Sequence, residues 1–206
     1  MHSCLLVEMS EPVNRTVLFD PGVFSEPFVD VATLVWLDDI IVTHMHSDHM
    51  SVPLIKKLVD KFPKVRITAP ADATKHLSEA GIGVSVDTPE GIELFESPHE
   101  SIYPLSSTPE QIGVHYLGLL THPGDSHTFS QTKSVLALPV QAPWGSTIGA
   151  INLALELKPK YIVPIHDWHW SEEARVQMYS MMEKVFKGKG ITFLSVNNGE
   201  PIVLRL

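Results

Sequence analysis

"VTHMHSDHMS", residues 42–51, places His44, His46, Asp48 and His49 within six positions, directly after the apolar run "DIIV". Histidine's charge is poised near neutral pH, so crowding several together without a partner is costly. Either a metal sits there, or this is an exposed polar turn that happens to be rich in histidine. Geometry weighs between the two. On a helix, at about 100° per residue, the four side chains would scatter around most of the circumference. On a strand, His44 and His46 point to the same face, and a loop after the strand end can fold Asp48 and His49 back beside them. "DIIVTH" is a continuous apolar run of strand length, which suggests a strand buried on both faces. Run and spacing agree on a metal site at the carboxyl end of a strand.

Working outward, "CLLVEM" and "RTVLFD" read as a β-hairpin or two adjacent strands. "SVPLIKKLVDKF" has helical spacing, with Leu54, Ile55, Leu58 and Val59 on one side and lysines on the other. Ser51 is its N-cap and Pro53 suits its first turn. "VRITAP" reads as a strand and "ADATKHLSEAG" as a helix closed by glycine. "GIELFES", "IGVHYLGLLTH" and "KSVLALPV" are three strand candidates. "STIGAINLALEL" reads as a helix, "YIVPIH" as a strand, and "SEEARVQMYSMMEKVFKG" as a longer helix ending at Gly188. "ITFLS" and "PIVLRL" are the closing strands. Strands come in runs with helices interspersed. That fits two packed β-sheets with helices outside them better than a strictly alternating parallel sheet.

The chain has 206 residues, 44% of them hydrophobic, which suits one large domain spanning 1–206, or at most two small ones. Its single cysteine, Cys4, excludes an intramolecular disulfide and suits a reducing, cytoplasmic setting. The net charge of −9 disfavours a nucleic-acid partner, whose binding is mostly phosphate neutralisation by Lys and Arg. "MHSC" is not the charged start of a signal peptide, and "VATLVWLDDIIV" is broken by Asp38 and Asp39, short of a membrane span. The expectation is no membrane association and a small-molecule substrate. A homo-oligomer stays open.

"THMHSDHM" resembles the His-x-His-x-Asp-His motif of the metallo-β-lactamase superfamily. The superfamily's other elements follow in order: Asp20 in "VLFDPG", His99 in "LFESPHES", Asp125 in "HPGDSH" and His166 in "YIVPIHDW". The last two forms look most like the L-ascorbate 6-phosphate lactonase-like branch. The resemblance implies an α/β (α+β) fold, an αββα sandwich of two mixed β-sheets with flanking helices. It implies a dinuclear site in which His44, His46 and His99 hold one metal, Asp48, His49 and His166 the other, and Asp125 bridges. Asp20 would orient a histidine by accepting its other N–H. His122, also after a strand-like segment, is the alternative to His99. Two departures stand out. Similar families carry a short strand and a glycine before the His-Ser pair, where this chain has Met1, so an edge strand is missing or the start is misassigned. "GDS" also stands where many relatives have "GDT".

Imidazole and carboxylate ligands suit Zn²⁺, Mn²⁺ or Fe, and no thiolate lies nearby to force zinc. Three protein ligands per metal plus a bridge leave coordination open for water, as in a catalytic site. Two such cofactor ions lower the pKa of a shared water, and Asp48 could carry a proton to the leaving group. The expected activity is hydrolysis of a small ester, lactone or phosphorylated metabolite. The alternatives are a phosphodiesterase or nuclease on the same fold, a redox di-iron enzyme, or a non-catalytic metal-binding protein. Di-iron relatives tend to carry Glu where this chain has His46.

His127, His169 and Trp144 are candidate substrate contacts. Against that, an extra histidine is more often a surface or satisfied polar group, and Trp144, Trp168 and Trp170 could simply pack over helices. His2 is expected near the site floor rather than as a ligand, and Cys4 as a small buried residue. His76 and His115 look structural. Lys56, Lys57, Lys61 and Lys64 read as a solvated helix face.

Overall fold

The computed structural model describes residues 2–11, 13–101, 107–196 and 199–205. Two compact units divide the chain: residues 1–90 with 109–112, and residues 91–108 with 113–206.

The first unit is built on a four-stranded mixed sheet. β1 (Leu5–Met9) and β2 (Arg15–Phe19) are antiparallel, while β3 (Asp39–Ile41) runs parallel to β2 and β4 (Arg66–Thr68) parallel to β3. The register aligns Leu18 with Ile40 and Ile40 with Ile67, and all three enter one apolar core. The flanking Val17, Phe19 and Ile41 are buried as well, so the strand centre is covered on both faces as the apolar run suggests.

α1 (Val52–Lys61) joins β3 to β4. Ser51 caps it by accepting the Leu54 N–H at 3.2 Å, and Leu54, Ile55 and Leu58 are its buried stripe. Each such side chain fully buried contributes about 1.5–3 kcal/mol. Lys56 pairs with Asp60 at 3.0 Å on the exposed side. Lys61 is exposed as the solvated-face reading expects, and its Nζ also donates to the carbonyls of Val31, Ala32 and Leu34 at 2.8, 2.8 and 2.6 Å. A long flexible stem lets an exposed ammonium reach loop carbonyls far away in sequence. α2 (Ala71–Glu79) ends at Ala80, with Gly81 in the left-handed region at φ 76°.

The second unit holds a six-stranded mixed sheet. Its strands are β5 (Ile92–Phe95), β6 (Gly113–Tyr116), β7 (Leu120–His122), β8 (Val135–Pro139), β9 (Tyr161–Ile165) and β10 (Thr192–Phe193), in spatial order β10-β9-β8-β7-β6-β5. β5, β6 and β7 pair antiparallel, and β7 through β10 pair parallel. α3 (Thr147–Leu157) links β8 to β9, and α4 (Glu172–Lys187) links β9 to β10. Side-chain oxygens of Ser146 and Ser171 cap the two helices. Leu136, Leu138 and Ile162 of the sheet form the core with Ala150, Tyr179, Met182 and Phe186 of the helices.

Two expectations are corrected here. "IGVHYLGLLTH" is not one strand but the hairpin β6–β7, turning at Leu117 (φ 48°) and Gly118 (φ 66°). Two consecutive positive-φ residues give a turn whose twist matches the flanking strands, and the uniformly apolar run hides it. "ITFLS" contributes only the two residues of β10, and residues 201–205 form no strand. β-propensity yields a strand only where a neighbour supplies the ladder. The helix expected to end at Gly188 does so, with Gly188 as its C-cap at φ −71° and Gly190 left-handed at φ 73°.

The expected α/β class, with two mixed sheets and flanking helices, is thus observed. No helix among the described residues is long and apolar enough to cross a membrane.

Candidate metal centre

In the first unit the run of candidate ligands follows β3. The strand ends at Ile41, and residues 43–49 turn back on themselves, with the N–H groups of His49 and Met50 both donating to the His46 carbonyl at 2.9 Å. The rings of His44 and His46 lie 4.8 Å apart and those of His44 and His49 4.0 Å apart. His44 and His49 are buried and His46 is exposed. The turn can close this tightly because Gly22 lies against it: a Cβ there would stand 1.8 Å from the Asp48 carbonyl oxygen.

Asp20 sits beneath this run, fully buried. Its Oδ1 accepts the Thr43 N–H at 2.7 Å. Its Oδ2 accepts the Thr43 hydroxyl at 2.9 Å and the His49 Nδ1–H at 2.7 Å. With its proton committed to Asp20, Thr43 Oγ1 must accept from His44 Nδ1, 3.1 Å away. One carboxylate therefore sets two tautomers, directly for His49 and through Thr43 for His44. In both, Nε2 becomes the lone-pair nitrogen that a metal requires. Thr43 was missed in the sequence, where nothing distinguishes it from any polar residue at a strand end. Asp48, with a side chain 28% exposed, has Oδ2 3.0 Å from His2 Nε2. His2 is itself buried and edge-on to His49 and Phe24. His2 is expected near the floor and not as a ligand, yet its ring nitrogen lies with donor atoms of Asp48 and His49, all within 4.8 Å of one another, in a group that could hold a metal ion.

The second unit carries the other candidates. His99 follows β5, and its Nδ1–H donates to the Glu100 carbonyl at 2.6 Å. His166 directly follows β9, and its Nδ1–H donates to the Gln141 carbonyl at 2.9 Å. A carbonyl can only accept, so each Nε2 again carries the lone pair in the neutral ring. Those Nε2 atoms stand 3.7 and 3.1 Å from the same oxygen, Asp125 Oδ2. Two lone pairs facing a carboxylate repel one another unless a cation or proton lies among them. This donor set therefore fits a divalent ion.

Asp125 is positioned by a tight turn after β7, with Gly124 at φ 65°. The loops bearing His99 and Asp125 are laced together. Ser97 Oγ–H donates to the Pro123 carbonyl at 2.7 Å, and the Glu100 N–H donates to the Asp125 carbonyl at 2.9 Å. Glu100 Oε1 accepts from the His127 N–H and the Thr128 hydroxyl at 3.0 and 2.7 Å. Glu100 is a second residue missed in the sequence, and its only signal was adjacency to His99. His122, the alternative ligand, is buried in β7, and its Nδ1 accepts the Gly124 N–H at 3.3 Å.

Two site residues lie in the left-handed region immediately after strands, Asp20 at φ 43° and His166 at φ 62°. Non-glycine residues there cost about 1–3 kcal/mol each, and such strain concentrates at functional sites.

The candidate substrate contacts resolve differently. His127 Nε2–H donates to the Pro139 carbonyl at 2.8 Å. Trp144 Nε1–H donates to Asp125 Oδ2 at 3.1 Å. His169 is exposed, its ring 6.5 Å from that of His166. Cys4 is buried, and burial pushes its thiol pKa up, against any nucleophilic role. His115 stacks on Phe95 at 4.3 Å, and burial, with Lys133 nearby, pushes its pKa down.

Residues 1–166 match the family model of the beta-lactamase superfamily domain. A Mycobacterium tuberculosis protein is 29% identical over 197 residues, covering 89% of each chain. A Nanoarchaeum equitans protein named a UPF0173 metal-dependent hydrolase is 24% identical over 225 residues, covering 98% of this chain and 97% of its own. The crystal structure of a Parabacteroides distasonis protein superposes with a TM-score of 0.69 at 21% identity, covering 94% of this chain and 88% of that one. At that identity the likeness is one of fold.

Proposed function

The chain belongs to the metallo-β-lactamase superfamily and is a metal-dependent hydrolase, and from that premise we propose that it uses a dinuclear centre to cleave a small ester, lactone or phosphorylated metabolite. In this reading residues 1–206 act as one catalytic domain. His44, His46 and His99 hold one ion, and Asp48, His49 and His166 the other, with Asp125 bridging. The ions are Zn²⁺ or Mn²⁺, with Fe also suited to the ligands. The forms "HPGDSH" and "PIHDW" favour a lactonase-like substrate, similar to the L-ascorbate 6-phosphate branch. A net charge of −9 and a single cysteine favour small molecules over nucleic acid and a cytoplasmic setting.

One observation carries this reading. Four of the proposed ligands, His44, His49, His99 and His166, each have Nδ1 held by a protein oxygen, at 3.1, 2.7, 2.6 and 2.9 Å. Metal-ligating histidines almost always donate their other N–H in this way. A set of merely structural histidines has no reason to share one tautomer.

When bound, the ions supply an activated water and polarise the substrate oxygen. The chain's own residues do the rest. Asp48, partly exposed and steadied by His2 at 3.0 Å, carries a proton to the leaving group. Asp20 and Thr43 hold two imidazoles in the ligating tautomer, and the Glu100 latch keeps the His99 and Asp125 loops in register. His127, His169 and Trp144 border the ligands and offer aromatic contact to substrate.

Metal analysis of protein purified without added metal tests the paired site. Two ions per chain are expected, and a saturating stoichiometry of one would overturn it. A panel comparing a generic lactone, an aryl ester and bis-p-nitrophenyl phosphate tests the substrate class. Turnover of the phosphodiester alone would replace the lactonase-like reading by the phosphodiesterase one.

A further inference from the structure

We propose that Trp144 is a positioning residue for the metal centre: its indole N–H fixes the Asp125 carboxylate and so sets metal affinity. The inference rests on the metal-dependent reading of Asp125 above and assigns to Trp144 a role beyond substrate contact.

Trp144 Nε1–H donates to Asp125 Oδ2 at 3.1 Å, the same oxygen that the Nε2 atoms of His166 and His99 face. A carboxylate has two soft torsions, and each donor to it restrains its plane. A donor from outside the ligand set does so, and indole is a donor only, so it cannot compete for the metal.

The ring that presents this N–H is itself immobilised. Its centroid lies 5.2 Å from His127 and 5.4 Å from His166, edge-on to both. His127 cannot turn away, because its Nε2–H is committed to the Pro139 carbonyl at 2.8 Å. The backbone carrying Trp144 is a closed turn, with Ala142 and Gly145 exchanging N–H···O bonds of 3.2 Å. It runs directly into the capped first turn of α3. Gly145 eases this approach: a Cβ there would stand 3.0 Å from His127 Cε1, and the imidazole would have to give by a few tenths of an ångström. A rigid turn, a pinned histidine and a donor aimed at a ligand oxygen are what a preorganised site requires.

Trp144→Phe keeps an aromatic wedge and removes the N–H. Apo forms of wild type and variant, prepared by chelator dialysis, would be titrated with Zn²⁺ and with Mn²⁺ by calorimetry. Loss of an outer partner of a ligand typically weakens metal binding 10–100-fold, and that loss is expected for at least one ion. The ligand-field spectrum of the Co²⁺-loaded variant should shift, while the unfolding midpoint of the apo protein stays at the wild-type value. Gly145→Ala, whose methyl would press on the His127 ring that packs against the indole, should weaken binding to a smaller degree. It provides a second test if Trp144→Phe folds poorly. Wild-type affinity, stoichiometry and Co²⁺ spectrum in both variants would overturn the proposal, even if KM rises, and would leave Trp144 as a substrate wall. If the wild-type protein takes up no metal, the metal-dependent reading itself fails, an outcome distinct from a selective variant effect.

Discussion

Asp20→Asn removes one acceptor and adds one donor at a position with no solvent to absorb the change. Asparagine Oδ1 can still accept the Thr43 N–H, now at 2.7 Å. Its amide nitrogen then confronts two donors, the Thr43 hydroxyl and His49 Nδ1–H, which Oδ2 accepts at 2.9 and 2.7 Å. The conflict is relieved if His49 moves its proton to Nε2 and Thr43 turns its hydroxyl toward His44, which then protonates at Nε2 as well. Both histidines would present hydrogen where a metal needs a lone pair. Outer-partner substitutions cost about 10–100-fold in metal affinity. That is about 1.4–2.8 kcal/mol at ~1.4 kcal/mol per decade. This is comparable to the ~1.5–3 kcal/mol of one hydrogen bond to a charged group. Because His44 and His49 are assigned to different ions, both ions should bind more weakly, unlike the effect of losing a ligand to one. Competition against a chromophoric chelator measures the affinities, and ¹⁵N chemical shifts of the imidazoles in the apo protein report the tautomers. Wild-type affinity for both ions, or unchanged Nδ1–H tautomers, would refute the reasoning.

Asp48→Ala should abolish turnover while circular dichroism and the melting profile of the apo protein stay native-like; residual wild-type turnover would remove Asp48 from the proton path. Gly22→Ala should destabilise the fold by about 1–3 kcal/mol or more, because its Cβ would meet the Asp48 carbonyl at 1.8 Å and backbone cannot step aside. Thermal unfolding checks this, with about 2–4 °C lost per kcal/mol at this chain length. For His115, burial lowers the pKa below its ordinary 6.5, so the folded state favours the neutral ring. Its contribution is present above about pH 6.5 and is lost as pH falls through the lower folded value. Denaturant melts at stepped pH should therefore show a shallower acid loss for His115→Gln than for wild type.

Much of the secondary structure was written locally. The apolar stripe of Leu54, Ile55 and Leu58 behind Ser51 reads as a capped helix because a 3.6-residue period and an N-cap are short-range signals. "DIIV" reads as a buried strand for the same kind of reason. The Leu117–Gly118 turn escaped because leucine at positive φ carries no local signal; pairing of the flanking strands imposes it. Residues 201–205 have strand composition without a strand, since a ladder needs a partner.

The candidate site divides along the same line. Residue type and spacing alone marked His44, His46, Asp48 and His49, and the family pattern pointed to Asp20, His99, Asp125 and His166. Ligand chemistry is carried by the side chain itself and so can be read from the string of residues. What orients those side chains is not. Thr43 relaying Asp20 to His44, the Gln141 carbonyl behind His166, and Trp144 on Asp125 join positions 23, 25 and 19 residues apart. Hydrogen bonds act over about 3 Å and depend on angle. Only the folded backbone, with its strained turns at Asp20 and His166, decides which nitrogen of His44, His49, His99 and His166 a protein oxygen holds and which is left to a metal in the proposed site.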